Sequence, residues 1–154
     1  TTSCNNYDIR FRLFGNGMAV SVISTAAGKC TMSFSDALIR GVFCNFLVCI
    51  AVWISFAAKD AAGKVIGLFF PIMIFVLCGF EHSVANMYYI GAGLMARTVP
   101  EYLDAALAAG LNPDVINLGN FLFANLLPVT IGNILGGGVC VGGVYWLAYL
   151  RKAD

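Results

Sequence analysis

Apolar residues in this chain fall mainly into three long runs. The first run, from about Leu38 to Ala58, has Arg40 near its start and Lys59, Asp60 and Lys64 just past its end. Its stretch of about 18 uncharged residues, rich in Val, Phe, Ile and Leu, meets the length needed to cross a bilayer. The second run, from Val65 to Ala96, is interrupted by one acid, Glu81, and by the chain's only histidine, His82. As one straight helix its roughly 32 residues would measure about 48 Å, against a hydrocarbon core of about 30 Å. A helix broken near mid-depth is therefore expected, with Glu81 and His82 at the break, facing protein or a water-filled cavity. The third run covers about Phe121 to Leu150, before Arg151 and Lys152.

These runs predict a transmembrane region over 37–154, with spans at about 38–58, 65–96 (broken) and 121–150. A polar stretch and a small-residue segment precede it over 1–36. The first dozen residues are polar, end in Arg10 and Arg12, and lack the basic start and apolar middle of a signal peptide. Leu13 to Ala27 is too short and too polar to cross alone, and reads as a partly buried helix or loop against the spans. Between the second and third runs, Arg97 to Asn120 is polar and mostly acidic. Its middle, Glu101 to Ala109, predicts a short helix outside the membrane. Lys59 and Lys64 in one connection, and Arg151 and Lys152 at the chain end, place both on the cytoplasmic side and the acidic connection outside.

Composition agrees with this class. Of 154 residues, 60% are apolar and 11% charged, where a soluble domain carries about a quarter charged. An all-α integral membrane protein follows. A net charge of +1 without any Lys/Arg run gives no nucleic-acid surface. The six cysteines form no Cys-x-x-Cys pair. Cys44, Cys49, Cys78 and Cys140 lie in apolar runs and read as small packing residues, while Cys4 and Cys30 are left open. A lone histidine with no second ligand at a suitable spacing gives no metal site, and nothing calls for a cofactor.

Several polar or small residues in the runs have two readings. Lys29 reads as a lysine snorkelling at the membrane edge or as a functional cation. Asn45 reads as a helix-to-helix hydrogen-bond partner, and Pro71 as a first-turn or kink residue. Phe75 is either simple packing or part of a constriction. Glu81 is either a proton relay or, as we favour, an acceptor of backbone amide hydrogen bonds that holds the broken segment in shape. Asn117 and Asn120 just before the third run, and Asn125, Thr130 and Asn133 within it, stand among apolar residues with Pro128 in their midst, and the run then becomes glycine-rich. Gly132-x-x-x-Gly136, with Gly137 beside it, and Gly138-x-x-x-Gly142 are spacings that let helix backbones approach closely.

Three segments carry a family resemblance. Gly79-Phe80-Glu81-His82-Ser83-Val84-Ala85-Asn86 and Asn125-Leu126-Leu127-Pro128-Val129-Thr130-Ile131-Gly132-Asn133-Ile134-Leu135-Gly136-Gly137 resemble the signature segments of the C-terminal half of the formate/nitrite transporter family. Arg40-Gly41-Val42-Phe43-Cys44-Asn45-Phe46-Leu47-Val48-Cys49 resembles the start of that family's fourth span. The resemblance implies an aquaporin-like fold of six spans in two inverted repeats with broken helices, assembled as a homo-pentamer with a pore in each subunit. This chain matches the second repeat, so the first is expected from the same chain or from another. By position His82 resembles the central pore histidine, Asn86 its polar neighbour, Phe75 part of a hydrophobic constriction, and Lys29 the lysine that draws anions toward the pore.

The chemistry is reasonable on its own terms. An anion entering an apolar constriction sheds water at large cost unless its charge is offset or neutralised. Histidine exchanges a proton near neutrality. The expectation is a non-enzymatic channel or transporter for small monovalent anions of weak acids, such as formate or nitrite, with hydrosulfide, acetate and lactate also in range. Lys29 would attract the anion, and His82 would order or relay a proton so that it crosses at Phe75 as the neutral acid; direct conduction of the anion is equally compatible with these residues. The bilayer is the other partner, in a bacterial inner membrane. The rival reading is a three-span accessory or anchoring subunit.

Overall fold

The computed structural model describes residues 16–151. The expectations for Cys4, Arg10, Arg12 and Lys152, and for the first part of the 1–36 stretch, lie outside the described residues. Among the described residues the structure is helical and has no strand: α1 (Asn16–Cys30), α2 (Phe34–Ala57), α3 (Ala61–Leu77), α4 (Ser83–Ala96) and α5 (Pro100–Ala108). A single 3-10 turn, Pro113–Val115, follows. The last helix, α6 (Asn120–Leu150), is wound as a π-helix over Asn120–Leu126, Ile134–Gly143 and Trp146–Leu150. Two of these helices, α2 and α6, are long and apolar enough to cross a membrane.

The helices begin earlier than the apolar runs do, because polar caps start them. Ser33 accepts the Asp36 amide at 3.1 Å at the start of α2, and Asp60 accepts the Gly63 amide at 2.8 Å at the start of α3. Pro71 needs a correction in part. It lies buried in the interior of α3, outside the first turn, and takes the N–H away from the carbonyl four residues back, that of Gly67. Large apolar side chains cover much of the outside. Phe56, Leu77, Phe123 and Tyr149 are 73%, 76%, 70% and 76% exposed, which calls for lipid or protein cover.

The chain divides into two compact units. One gathers the described residues up to Met32 with Val84–Leu126. Its core takes Ala19, Ile23, Ala26 and Cys30 from one face of α1, Ile90 and Ala96 from α4, Tyr102 and Ala106 from α5, and Ile116. Gly93 is tight against Ala26, where a Cβ would collide. Two hydroxyls of α1 bond within their own helix: Ser21 and Thr25 donate to the carbonyls of Gly17 and Ser21. Such bonds let hydroxyls sit on a weakly apolar helix with their donors satisfied. Arg97 donates to the Ile116 carbonyl and lies 3.7 Å from Asp114, pinning the connection after α5.

The other unit holds Ser33–Ser83 and the chain from Leu127 onward. Here α2 lies directly on α6. A Cβ on Gly41 would stand 2.8 Å from the Val129 carbonyl, and one on Gly137 would meet Asn45 Nδ2 at 2.5 Å and Cys49 Sγ at 2.9 Å. At Gly132 and Gly136 the neighbours are the Leu38 and Val42 carbonyls, closer still. Gly138, by contrast, has nothing within 4 Å. The cysteines also differ among themselves. Cys30 and Cys44 are buried and Cys49 half-buried, whereas Cys78 and Cys140 are exposed and do not pack inside this chain.

Candidate functional site

The interruption between α3 and α4 is built by one residue with a special backbone. Gly79 has φ +64°, a left-handed conformation that costs glycine little. It sits just past the helix end, where the Gly79 amide donates to the Val76 carbonyl at 3.1 Å and the Phe80 amide to the Phe75 carbonyl at 3.0 Å. This double closure satisfies the last carbonyls of α3 and turns the chain out of the helix. Phe80 then stacks on Phe43, with centroids 5.7 Å apart. Glu81 and His82 follow in non-helical chain before α4 starts at Ser83.

Backbone groups left open by such a break must find partners from elsewhere in the fold. Asn133 of α6 supplies most of them. Its Nδ2 donates to the Gly41 carbonyl at 2.9 Å and to the Glu81 carbonyl at 3.0 Å, and its Oδ1 accepts the Ser83 amide at 3.0 Å. Asn45 holds Asn133 in turn, donating to its carbonyl at 2.8 Å. Arg40 brackets the other side: its carbonyl accepts the Glu81 amide at 3.4 Å, and its guanidinium donates to the Gly79 carbonyl at 3.4 Å. Glu81 is 3% exposed within this frame. His82 is half-buried, its ring 6.3 Å from that of Phe75 and tilted 32° to it.

Lys29 and Asn86 belong to the other unit, where an amide pair joins them. Lys29 lies in the last turn of α1, so its carbonyl lacks a donor within the helix. Asn125 Nδ2 donates to that carbonyl at 3.1 Å, while Asn125 Oδ1 accepts from Asn86 Nδ2 at 2.7 Å. Asn86 is 1% exposed and Asn125 is fully buried. The Lys29 ammonium stands 5.5 Å over the ring of Tyr89. Among the described residues, no three His, Cys, Asp or Glu side chains gather in a way that would hold a metal.

The structure thus brings His82 beside Phe75 and links Asn86 to the backbone of Lys29. Gly132, Gly136 and Gly137 lie on the α6 face that meets α2. Sequence reasoning left Arg40, Tyr89, Asn125 and Asn133 without a role at the site. Asn125 and Asn133 did carry a signal, since an amide inside an apolar run must be hydrogen-bonded to something.

The sequence model of the formate/nitrite transporter family matches residues 9–147. The chain belongs to the formate/nitrite transporter family. Uncharacterized transporter YrhG of Bacillus subtilis (strain 168) is 45% identical over 130 residues, covering 84% of this chain and 42% of that protein. Formate channel FocA of Escherichia coli (strain K12) is 41% identical over 137 residues, covering 88% of this chain and 48% of that one. Among solved structures, a pentameric formate channel with formate bound is similar at a TM-score of 0.79 and 35% identity, over 94% of this chain and 58% of that one. This formate/nitrite transporter chain spans about half the length of the curated relatives it matches. Those relatives are named as channels and transporters.

Proposed function

We infer that this chain forms part of a channel or transporter for small monovalent anions of weak acids, formate or nitrite first among them. The observation that carries the reading is the broken helix: it holds the only histidine, half-buried and beside Phe75, next to a buried carboxylate. A bilayer-spanning chain tolerates such groups where they serve a pathway. The formate named for relatives of this family supports that substrate class.

In this reading Lys29 raises the local concentration of the anion, and Asn86 lines its path one turn beyond the break. His82 gives or orders a proton so that the solute passes Phe75 with its charge neutralised. Hydrosulfide, acetate and lactate share the needed size and acidity. Glu81 acts through shape, keeping the break open. The fold is the second of two inverted repeats, the first coming from the same or another chain, and the subunits assemble as a homo-pentamer in a bacterial inner membrane. The pentameric state of the solved relative and the bacterial relatives support these last points.

The test is flux into liposomes containing the purified protein, under gradients of formate, nitrite, hydrosulfide and chloride. The expected result is rapid entry of at least one weak-acid anion with chloride excluded. Equal entry of chloride, or entry of none, would overturn the reading.

A further inference from the structure

We propose that the groove between the C-terminal halves of α2 and α6 binds an anionic phospholipid, with one acyl chain in the groove and the headgroup at Lys59, Lys64 and Arg151. The inference needs the chain to lie in a bilayer and is independent of what it transports. Helices α2 and α6 run side by side in the same direction: Gly136 meets Val42, Gly137 meets Cys49, and the Trp53 ring meets that of Tyr145 edge-on at 4.3 Å. Their C-terminal ends therefore lie at one end of this unit. A hollow of about 340 Å³ opens there between Trp53, Tyr145, Tyr149 and Leu150. A second, of about 260 Å³, shares Trp53 and Tyr145 and continues to Cys49, Gly137 and Gly142. No side chain fills the floor at Gly142, where a Cβ would meet only the Gly137 carbonyl, at 3.5 Å.

From Gly137 to Leu150 the groove follows α6 for roughly 20 Å. One leaflet contributes about 15 Å to the hydrocarbon core, so a single acyl chain is long enough to occupy it. The outer end of the groove is aromatic, with Tyr145 stacked on Tyr149 at 5.6 Å. Tryptophan and tyrosine rings gather where hydrocarbon meets headgroups. Basic residues stand just past these rings. Lys59 follows the end of α2 by two residues, Lys64 lies in the first turn of α3, and Arg151 closes α6, all three exposed. Asp60, the acid among them, is engaged as the cap of α3, accepting the Gly63 amide at 2.8 Å. Among the described residues this end therefore carries a surplus of positive charge, which complements an anionic headgroup. A second copy of the chain, inserted in the same sense, would bring the same cations to the same end, and like charges would oppose its seating.

The experiment reads Trp53 fluorescence, taken as the difference between the protein and its Trp53→Phe variant, in phosphatidylcholine vesicles. Part of the lipid is replaced by phosphatidylglycerol with brominated acyl chains or, in a matched series, by phosphatidylcholine with the same chains. Bromine quenches a tryptophan only at close range, so the two series compare the headgroups at this groove. Phosphatidylglycerol is expected to occupy it at least about three-fold more readily than phosphatidylcholine, the scale of one or two basic residues at an anionic headgroup. The Lys59→Gln/Lys64→Gln/Arg151→Gln variant is expected to bring the ratio close to one, and high salt to lower it. Gly142→Leu fills the floor without touching a charge, and is expected to abolish the preference as well. Equal quenching by the two headgroups, or a preference that survives the triple substitution, would overturn the proposal. Absence of quenching by either lipid would overturn it too, and would mean that protein, such as a second copy of the chain, covers the groove.

Discussion

At the scale of residues, an asparagine far away in sequence helps close the break. Asn133 alone meets the carbonyls of Gly41 and Glu81 and the amide of Ser83. Replacing it with alanine leaves buried backbone groups without partners, each worth about 1–3 kcal/mol. Asn133→Ala is expected to lower unfolding stability by at least about 2 kcal/mol in detergent, measured by denaturant titration. A loss below about 0.5 kcal/mol would mean that other groups or water close the break. Glu81 and His82 were legible in the sequence because charge and imidazole are rare inside apolar runs. Asn133 was visible as a polar residue, but its partners, Gly41 and Glu81, are 92 and 52 residues away in sequence. No local pattern reveals contacts of that separation.

At the scale of elements, the break and the α2–α6 contact follow different rules. The interruption was legible from length, since an apolar run longer than a bilayer must bend or break. Its position was less so: the turn is made at Gly79, two residues before the acid, because only glycine enters the left-handed conformation there cheaply. Gly110, φ +76°, ends α5 with the same double closure, its amide on the Leu107 carbonyl and that of Leu111 on the Ala106 carbonyl. The glycine spacings in α6 look alike in sequence and differ in space, since Gly136 faces the backbone of α2 and Gly138 faces open space. Gly136→Ala is expected to cost about 1–3 kcal/mol by overpacking. Gly138→Ala should stay within about 1 kcal/mol of wild type, because it meets no neighbour and gains helix propensity. Thermal unfolding of the two variants side by side checks this, and equal costs would mean that the α2–α6 approach is looser than the structure has it.

At the scale of the whole molecule, helical class and membrane habit came from composition and from run length, which need no knowledge of contacts. Family membership came from three motifs, and the match over residues 9–147 agrees with them. The division into two compact units was not legible, because it cuts the chain at Met32/Ser33, Ser83/Val84 and Leu126/Leu127, inside or beside helices where composition hardly changes. Placing Lys29 and Asn86 in one unit and His82 and Phe75 in the other likewise depends on long-range contacts. The central claim is that a histidine at a helix break couples a weak acid's passage to a proton. Its most direct test is formate flux through the protein in liposomes as a function of pH, wild type against His82→Asn. Imidazole can take up and release a proton and an asparagine amide cannot, so wild-type flux should change with pH where His82 titrates. The asparagine variant, unable to titrate, should show a flattened profile. The same pH profile in both proteins would contradict the proton role of His82.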